Sequence, residues 1–287
     1  MKTRIISGLI LICIMGAVLA LGFLVNPLFI TVLLALLAAI ATYELVHNVA
    51  KINSKSINVI AMVYTAVAVV NFALDGFQIG EFLITTYHIT VLYVIFAVFL
   101  TLKKHGQLDL GGILSLCVMP FIMAYAFGSL EKIANFGAEY ALEIGGISTA
   151  TGIYYLLMML NFSSGCDTGA YFVGVTIGKH KLCPNISPKK TVEGAIGGIL
   201  TSVILSLVFN FAFGMTDKLI PTLIFTVPLC IVGMCGDLFA STIKRSVGLK
   251  DYGNLIPGHG GILDRFDSAL LISPVVYYFV QYLPVIF

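Results

Sequence analysis

The sequence predicts an all-α, polytopic integral membrane protein: a bundle of about nine transmembrane helices with a cytoplasmic N-terminus. Two observations predict this fold class. Of the 287 residues, 59% are hydrophobic and only 10% are charged, whereas a soluble domain carries about 25% charged residues. Apolar stretches of roughly 20 residues, long enough to cross a bilayer as a helix, recur along nearly the whole chain. So much apolar surface requires lipid as its solvent.

The apolar stretches divide into nine candidate spans. They lie at about residues 5–24, 27–48, 57–74, 82–102, 110–130, 146–162, 192–213, 219–239 and 268–286. The basic residues provide an independent check, because Lys and Arg gather in cytoplasmic loops. With a cytoplasmic N-terminus, this count places all 16 basic residues except Lys132 and Lys218 on the cytoplasmic side.

The acidic residues separate two regions of the chain. Those before residue 160 lie near the ends of spans and are predicted to be solvated: Asp75, Glu81, Glu131, Glu139 and Glu143. From residue 163 onward, carboxylates and basic residues share two long cytoplasmic segments. We therefore predict an N-terminal region of about six spans, residues 1–160, and a C-terminal catalytic region, residues 161–287. The net charge of +2 is too small to indicate a nucleic-acid partner.

The first charged segment covers residues 163–198. If its beginning is helical, Asp167, Ala170, Tyr171, Gly174 and Gly178 share one helix face. The glycines fit close helix packing equally well. Asp167 is harder to explain that way, because a carboxylate at membrane depth is costly unless it is partnered or functional.

A helix start is predicted at Thr191, which follows Ser187, Pro188, Lys189 and Lys190. Proline fixes a loop, and threonine is a preferred N-cap residue. Lysines beside a helix N-terminus make an anion site, because the free amides and the helix dipole add to the ammonium charge. Taken alone, the two lysines fit a simple topology signal better.

The second charged segment covers residues 236–268. Asp237, Ser241, Lys244 and Arg245 follow one another at helical spacing, which predicts one face with a carboxylate, a hydroxyl and two cations. Several carboxylates near Lys and Arg suit a Mg²⁺–nucleotide site, because Mg²⁺ prefers oxygen ligands and the cations neutralise phosphates.

A glycine-rich stretch, residues 257–261, interrupts this segment and cannot easily continue a helix. Its glycines are expected to leave backbone amides free to approach phosphate oxygens. For His259, a phosphate or loop hydrogen bond is favoured over a role as catalytic base. Asp264 and Asp267 follow the stretch and lead into the last span.

These residues resemble the signature of the phosphatidate cytidylyltransferase family, also called CDP-diacylglycerol synthases. The signature has the form S-x-x-K-R-x₄-K-D-x-G-x₂-I-P-x-H-G-G-x₂-D-R-x-D, and residues 241–267 match it without a mismatch. Patterns around Asp167, Gly178, Ser187 and Gly236 also match. The resemblance covers the C-terminal 125 residues or so; the earlier part agrees in length and hydropathy only.

The resemblance implies a reaction in which CTP and phosphatidic acid give CDP-diacylglycerol and pyrophosphate. It implies a Mg²⁺ centre held by Asp237, Asp264 and Asp267, with a second monovalent cation such as K⁺ beside it. It also implies a homodimer in the bilayer of the cell (inner) membrane, with a cytoplasm-facing site. The implied catalytic residues are Asp237, Lys244, Arg245, Asp264 and Asp267. The implied substrate-binding residues are Asp167, Lys179, Ser187, Lys189, Lys190, Thr191, Ser241, Lys250, Asp251, His259, Gly260, Gly261 and Arg265.

Two other functions fit parts of the sequence. A related CTP-dependent enzyme acting on another lipid phosphate, such as an ether lipid, would share the same charged segments. A transporter would carry its charges along the spans and would often show an inverted repeat. Here the charges cluster in two segments near one end of the chain and no repeat is visible, so transport is disfavoured.

Overall fold

A computed structural model describes residues 2–103, 108–136 and 148–282. In these ranges the chain is mainly helical, as predicted, and two short antiparallel hairpins add strands that were not predicted. The helices are α1 (Lys2–Leu24), α2 (Leu28–Tyr43), α3 (Lys55–Ala73), α4 (Thr86–Lys103), α5 (Leu110–Ala134), α6 (Ser148–Leu160), α7 (Cys166–Ile177), α8 (Val192–Ala212), α9 (Leu219–Ser246), α10 (Leu263–Phe266) and α11 (Ala269–Tyr282). The hairpins pair β1 (Phe77–Ile79) with β2 (Phe82–Ile84) and β3 (Lys181–Cys183) with β4 (Ser187–Thr191).

Six helices of the described chain are long and apolar enough to cross a membrane: Leu28–Val49, Lys55–Ala73, Thr86–Lys103, Leu110–Ala134, Val192–Ala212 and Leu219–Ser246. The first of these is α2 together with a π-helical turn, Glu44–Val49. The other three predicted spans coincide with α1, α6 and α11. Residues 146–147 and 283–286 of those spans, Lys104 and the acidic Glu139 and Glu143 lie outside the described residues. The count of nine and the orientation stay predictions.

The described chain forms two compact units, residues 1–132 with 249–266 and residues 133–248 with 267–287. This partition follows packing, whereas the predicted division after residue 160 concerned the location of the catalytic motifs and stays a prediction. The signature segment therefore contributes to both units: residues 241–248 and Asp267 belong to the second, and residues 249–266 to the first.

Helices α2, α3 and α4 pack together in the first unit. Tyr64 of α3 and Tyr93 of α4 stack with ring centroids 4.0 Å apart, and the Tyr64 hydroxyl hydrogen-bonds Thr90. Small residues, Ala61 and Ala68, are fully buried beside them, so the backbones approach closely.

One sequence expectation is wrong in this unit, because Glu131 is not solvated. Helix α5 continues past the predicted end at residue 130, and Glu131 is only 2% exposed. The Thr31 hydroxyl donates a hydrogen bond of 2.6 Å to its carboxylate, which partly replaces the lost hydration. Asp75 is solvated as expected and pairs with Lys132 at 2.7 Å.

Helices α7 and α8 form the tightest helix pair of the second unit. A Cβ at Gly197 would lie 2.4 Å from Val173, and one at Gly198 would lie 2.5 Å from the Cys166 carbonyl oxygen. For Gly174, close packing was one of the two interpretations open from the sequence, and a Cβ there would lie 3.0 Å from the Thr191 hydroxyl oxygen and 3.7 Å from the Gly194 Cα. The predicted helix start is confirmed: Thr191 is the N-cap of α8 and accepts a hydrogen bond from the Gly194 amide.

A π-helical turn, Asn161–Gly165, connects α6 to α7 and is anchored by buried polar groups. The Asn161 side-chain amide donates to the Ser202 carbonyl at 2.9 Å and to the Ser206 hydroxyl at 3.0 Å. Ser206 in turn hydrogen-bonds Thr226 of α9. Such bonds between apolar helices are worth about 0.6–2 kcal/mol each. They fix the turn that leads directly into Asp167.

Candidate functional site

Four elements of the second unit bring charged side chains of the predicted site together. Asp167 lies in the first turn of α7, Lys190 in β4, Asp237 in α9, and Asp267 in the turn before α11. We call these four residues, with Lys244 of α9, the acidic cluster. Asp237 and Lys244 lie two helical turns apart, so both reach the cluster from one face of α9, as the sequence predicted.

The ion pairs of the cluster link distant parts of the sequence. Lys190 forms an ion pair with Asp237, and the Lys244 Nζ lies 4.0 Å from an Asp267 carboxylate oxygen. Lys244 is buried, whereas Arg245 beside it is exposed. The two cations that the sequence placed on one helix face therefore occupy different environments.

A short chain of hydroxyl groups supports Asp167. The Ser268 hydroxyl donates to the Asp167 carboxylate at 3.5 Å, and it also hydrogen-bonds the Ser163 hydroxyl at 2.8 Å. The Ser268 amide donates to the Asp267 carboxylate at 2.9 Å. Ser268 thus contacts two of the three acidic side chains, although the sequence interpretation did not single it out.

The pKa values of the cluster depend on the burial of its side chains and on the charges of its three carboxylates. Burial raises the pKa of Asp167, and the charge of Asp237 raises it further, while Lys190 opposes both. Burial and the charge of Asp237 likewise raise the pKa of Asp267. Burial alone would lower the pKa of Lys190, but the charges of Asp237, Asp167 and Asp267 outweigh it and raise that pKa. The cluster therefore holds Lys190 as a cation and has capacity for further positive charge.

This donor set fits a Mg²⁺ ion that depends on its substrate for part of its coordination. In the described ranges, no three His, Cys, Asp or Glu side chains are grouped so that they could hold a metal ion by themselves. Mg²⁺ is usually bound by one or two carboxylates, with water and substrate phosphates completing the shell. Asp237 and Asp267, whose side chains interact, provide such a partial set.

The third predicted metal ligand, Asp264, lies in the first unit and is buried. One carboxylate oxygen accepts hydrogen bonds from the Tyr252 amide at 2.7 Å and the Gly261 amide at 3.0 Å. Gly260 has a φ of +87°, and a Cβ there would lie 2.9 Å from that carboxylate. Glycine is needed at this position for both reasons. Asp264 thus organises the glycine-rich stretch, and its role as a metal ligand stays a prediction.

Two backbone amides of this stretch, those of His259 and Gly261, differ from the expectation that they would be free for phosphate. The His259 amide donates to the Ile256 carbonyl at 2.9 Å. The Gly261 amide donates to Asp264, and the next two amides donate to Glu44. The glycines therefore admit carboxylates rather than expose these amides. Substrate binding by His259, Gly260 and Gly261 stays a prediction.

Glu44 is a residue of this region that the sequence interpretation missed. It lies in the second predicted span and is 3% exposed, yet its carboxylate contacts the signature segment. The signal was present, because Glu44 is a carboxylate within an apolar span, and such residues are commonly functional.

The remaining predicted site residues lie in both units. Those of the first unit are Lys250, Asp251 and Arg265, all exposed. Those of the second unit are Lys179, Ser187, Lys189, Thr191, Ser241 and Arg245. Of these, Lys179, Lys189 and Arg245 are exposed, whereas Thr191 is buried as a helix cap. Their contacts with substrate stay predictions.

The fold and the acidic cluster define a multi-pass, all-α membrane protein with a charged site. The family model described as "Cytidylyltransferase family" matches residues 2–283. The chain belongs to the cytidylyltransferase family.

Three bacterial relatives are each named phosphatidate cytidylyltransferase. The protein from Bacillus subtilis is 43% identical over 140 residues, which cover 49% of this chain and 52% of that protein. The Staphylococcus saprophyticus protein is 40% identical and the Staphylococcus aureus (strain COL) protein 38% identical, each over 173 residues that cover 56% of this chain and 66% of the relative. The matched segments therefore span about half to two thirds of these relatives.

We expect Lys190→Gln to destabilise the protein more than Lys189→Gln. Removing Lys190 leaves three carboxylates with less positive charge, and losing a hydrogen bond to a charged group costs about 2 kcal/mol. Lys189 is exposed, so its change should stay within about 0.5 kcal/mol. Thermal unfolding in detergent measures both variants. Equal melting temperatures would contradict the assignment of Lys190 to the acidic cluster.

Proposed function

We propose that this chain is a phosphatidate cytidylyltransferase, which converts CTP and phosphatidic acid into CDP-diacylglycerol and pyrophosphate. The observation that carries the proposal is the acidic cluster: three carboxylates and two lysines gathered in one unit of a cytidylyltransferase-family chain. The names of the three bacterial relatives support the same substrate pair.

The proposed reaction needs little acid–base chemistry. A phosphate oxygen of the lipid forms a bond to the α-phosphorus of CTP, and the bond from that phosphorus to the bridging oxygen of pyrophosphate breaks. The lipid phosphate is already ionised near neutral pH, because a second phosphate pKa is about 6. The main barrier is the approach of two anions, so positioning and charge neutralisation dominate.

The proposed roles of this chain follow from burial. Lys190 and Lys244 are held against carboxylates, so they orient Asp237 and Asp267 and limit their repulsion. Three exposed cations, Lys179, Lys189 and Arg245, would contact phosphate oxygens through charge-assisted hydrogen bonds, which are about twice as strong as neutral ones. Asp264 keeps the role of metal ligand that the family resemblance implies, and Lys250 and Arg265 keep their implied roles in substrate binding.

A bound Mg²⁺ would neutralise the charge that develops on the phosphate of the transferred cytidylyl group and on the leaving pyrophosphate. Asp237 and Asp267 would hold it, with Asp264 as the third ligand by resemblance. The excess of carboxylate over cation in the acidic cluster supports this. A monovalent cation such as K⁺ beside Mg²⁺ belongs to the proposal through the resemblance alone.

The proposed setting is the cell (inner) membrane, with nine spans, a cytoplasmic N-terminus and a site that faces the cytoplasm. The distribution of basic residues supports this orientation. CTP reaches such a site from water, while phosphatidic acid keeps its tails in the bilayer. The homodimer implied by the resemblance is included in the proposal.

Transfer of label from CTP to lipid tests the proposed activity. Purified protein with α-³²P-labelled CTP, Mg²⁺ and phosphatidic acid should move label into the organic phase, because the α-phosphorus stays with the product. Label on the γ-phosphorus should stay in water. Absence of lipid label with ester phosphatidic acid would contradict the proposal. Label appearing only with an ether lipid phosphate would replace phosphatidic acid by that substrate.

Cysteine labelling tests the proposed orientation. A variant that keeps Cys183 as its only cysteine places one thiol at the end of β3, beside the loop that leads to β4. Because four lysines surround this loop, we expect it on the cytoplasmic side. A membrane-impermeant maleimide should then label Cys183 in inside-out vesicles and spare it in sealed right-side-out vesicles. The reverse pattern would invert the orientation.

A further inference from the structure

Glu44 lies at the start of the π-helical turn that ends the second predicted span. Both of its carboxylate oxygens accept backbone hydrogen bonds from the signature segment. The Ile262 amide donates to Oε1 and the Leu263 amide donates to Oε2, each at 2.9 Å. These bonds join residues more than 200 positions apart in the sequence, so Glu44 fixes a long-range contact rather than a local turn.

Two glycines of the signature segment make room for this carboxylate. A Cβ at Gly261 would lie 2.3 Å from the Glu44 Oε1, and a Cβ at Gly253 would lie 2.5 Å from the same atom. Neither contact is possible without movement of the backbone or of Glu44. Both glycines belong to the signature, and the position of the Glu44 carboxylate explains why a side chain does not fit at either one.

A second side chain of the same π-helical turn holds the segment at another point. The Asn48 side-chain amide donates to the Tyr252 carbonyl at 2.5 Å. The Tyr252 amide donates to Asp264, which also receives the Gly261 amide. The backbone from Tyr252 to Leu263 is thus held by Glu44 and Asn48 of the π-helical turn, and by Asp264 of the signature segment itself. π-Helical turns often occur at functional sites.

We propose that Glu44 is a positioning residue, which holds residues 261–263 and thereby sets the position of Asp264 for the reaction. This rests on the proposed function. A carboxylate suits the task because both oxygens accept hydrogen bonds, whereas the amide of glutamine directs an N–H₂ group at one of the two donors. The first 160 residues, through Glu44, then do more than span the membrane.

Hydrogen exchange tests this role without reference to activity. In Glu44→Gln and Glu44→Ala, amides of residues 259–264 should exchange at least about tenfold faster, because local opening becomes easier. Amides of α8 should keep the parent rate. Glu131→Gln is the matched control, a buried carboxylate of the same unit that hydrogen-bonds Thr31, and should leave residues 259–264 protected. Unchanged exchange in both Glu44 variants would overturn the proposal.

A double substitution keeps the proposal testable if single variants unfold. Gly253→Ala should lower the melting temperature of the parent, because the new methyl group meets Glu44. In a Glu44→Ala background the methyl group has space, so the same change should have a much smaller effect. Equal effects in the two backgrounds would contradict the contact.

Kinetics separate positioning from loss of substrate binding. Glu44→Gln should lower kcat by at least about tenfold while changing the KM for CTP less than about threefold, because a misplaced reacting group costs turnover. If the parent protein transfers no label to lipid, the proposed function is wrong. The hydrogen-exchange result still tests the contact of Glu44 with the signature segment. If the parent is active and Glu44→Gln keeps its kcat, the positioning role is wrong.

Discussion

The cost of burying a carboxylate in apolar surroundings shapes both units of this protein. Such a group is tolerated only when it is paired, hydrogen-bonded or used by a ligand. Glu44 is satisfied by two backbone amides and Asp264 by two others. Glu131 receives the Thr31 hydroxyl. In the acidic cluster, Asp237 is paired with Lys190, while Asp167 and Asp267 share two lysines with it and leave room for a further cation.

The glycines of the chain follow from the same constraint and from helix packing. In the first unit, Gly253, Gly260 and Gly261 lie where a side chain would meet the carboxylates of Glu44 or Asp264. In the second unit, Gly197 and Gly198 let α8 approach α7, and Thr191 at the end of β4 lies against Gly174 and Gly178 at the end of α7. A glycine-rich signature can therefore give a protein carboxylate access to backbone amides, just as it can give a bound phosphate access to them.

Local patterns predicted much of the fold and only part of the site. Apolar stretches located the helices, and Thr191 marked the start of α8, because both depend on neighbouring residues. The contact of Glu44 with Ile262 could not be predicted, since it depends on tertiary packing across 218 positions. Glu131 was misjudged because the length of α5, not the residue type, decides its burial. The β-hairpins are too short to produce a recognisable alternation.

We propose that the acidic cluster holds a metal–nucleotide complex rather than only stabilising the fold. Turnover of Asp237→Asn, compared with its melting temperature while Mg²⁺ is titrated, tests this most directly. We expect a loss of at least about 10²-fold in turnover, the usual scale for one electrostatic group. We also expect a melting temperature close to that of the parent, because Asp167 and Asp267 still neutralise Lys190. Near-normal turnover, or lost turnover together with a collapsed melting temperature, would contradict it.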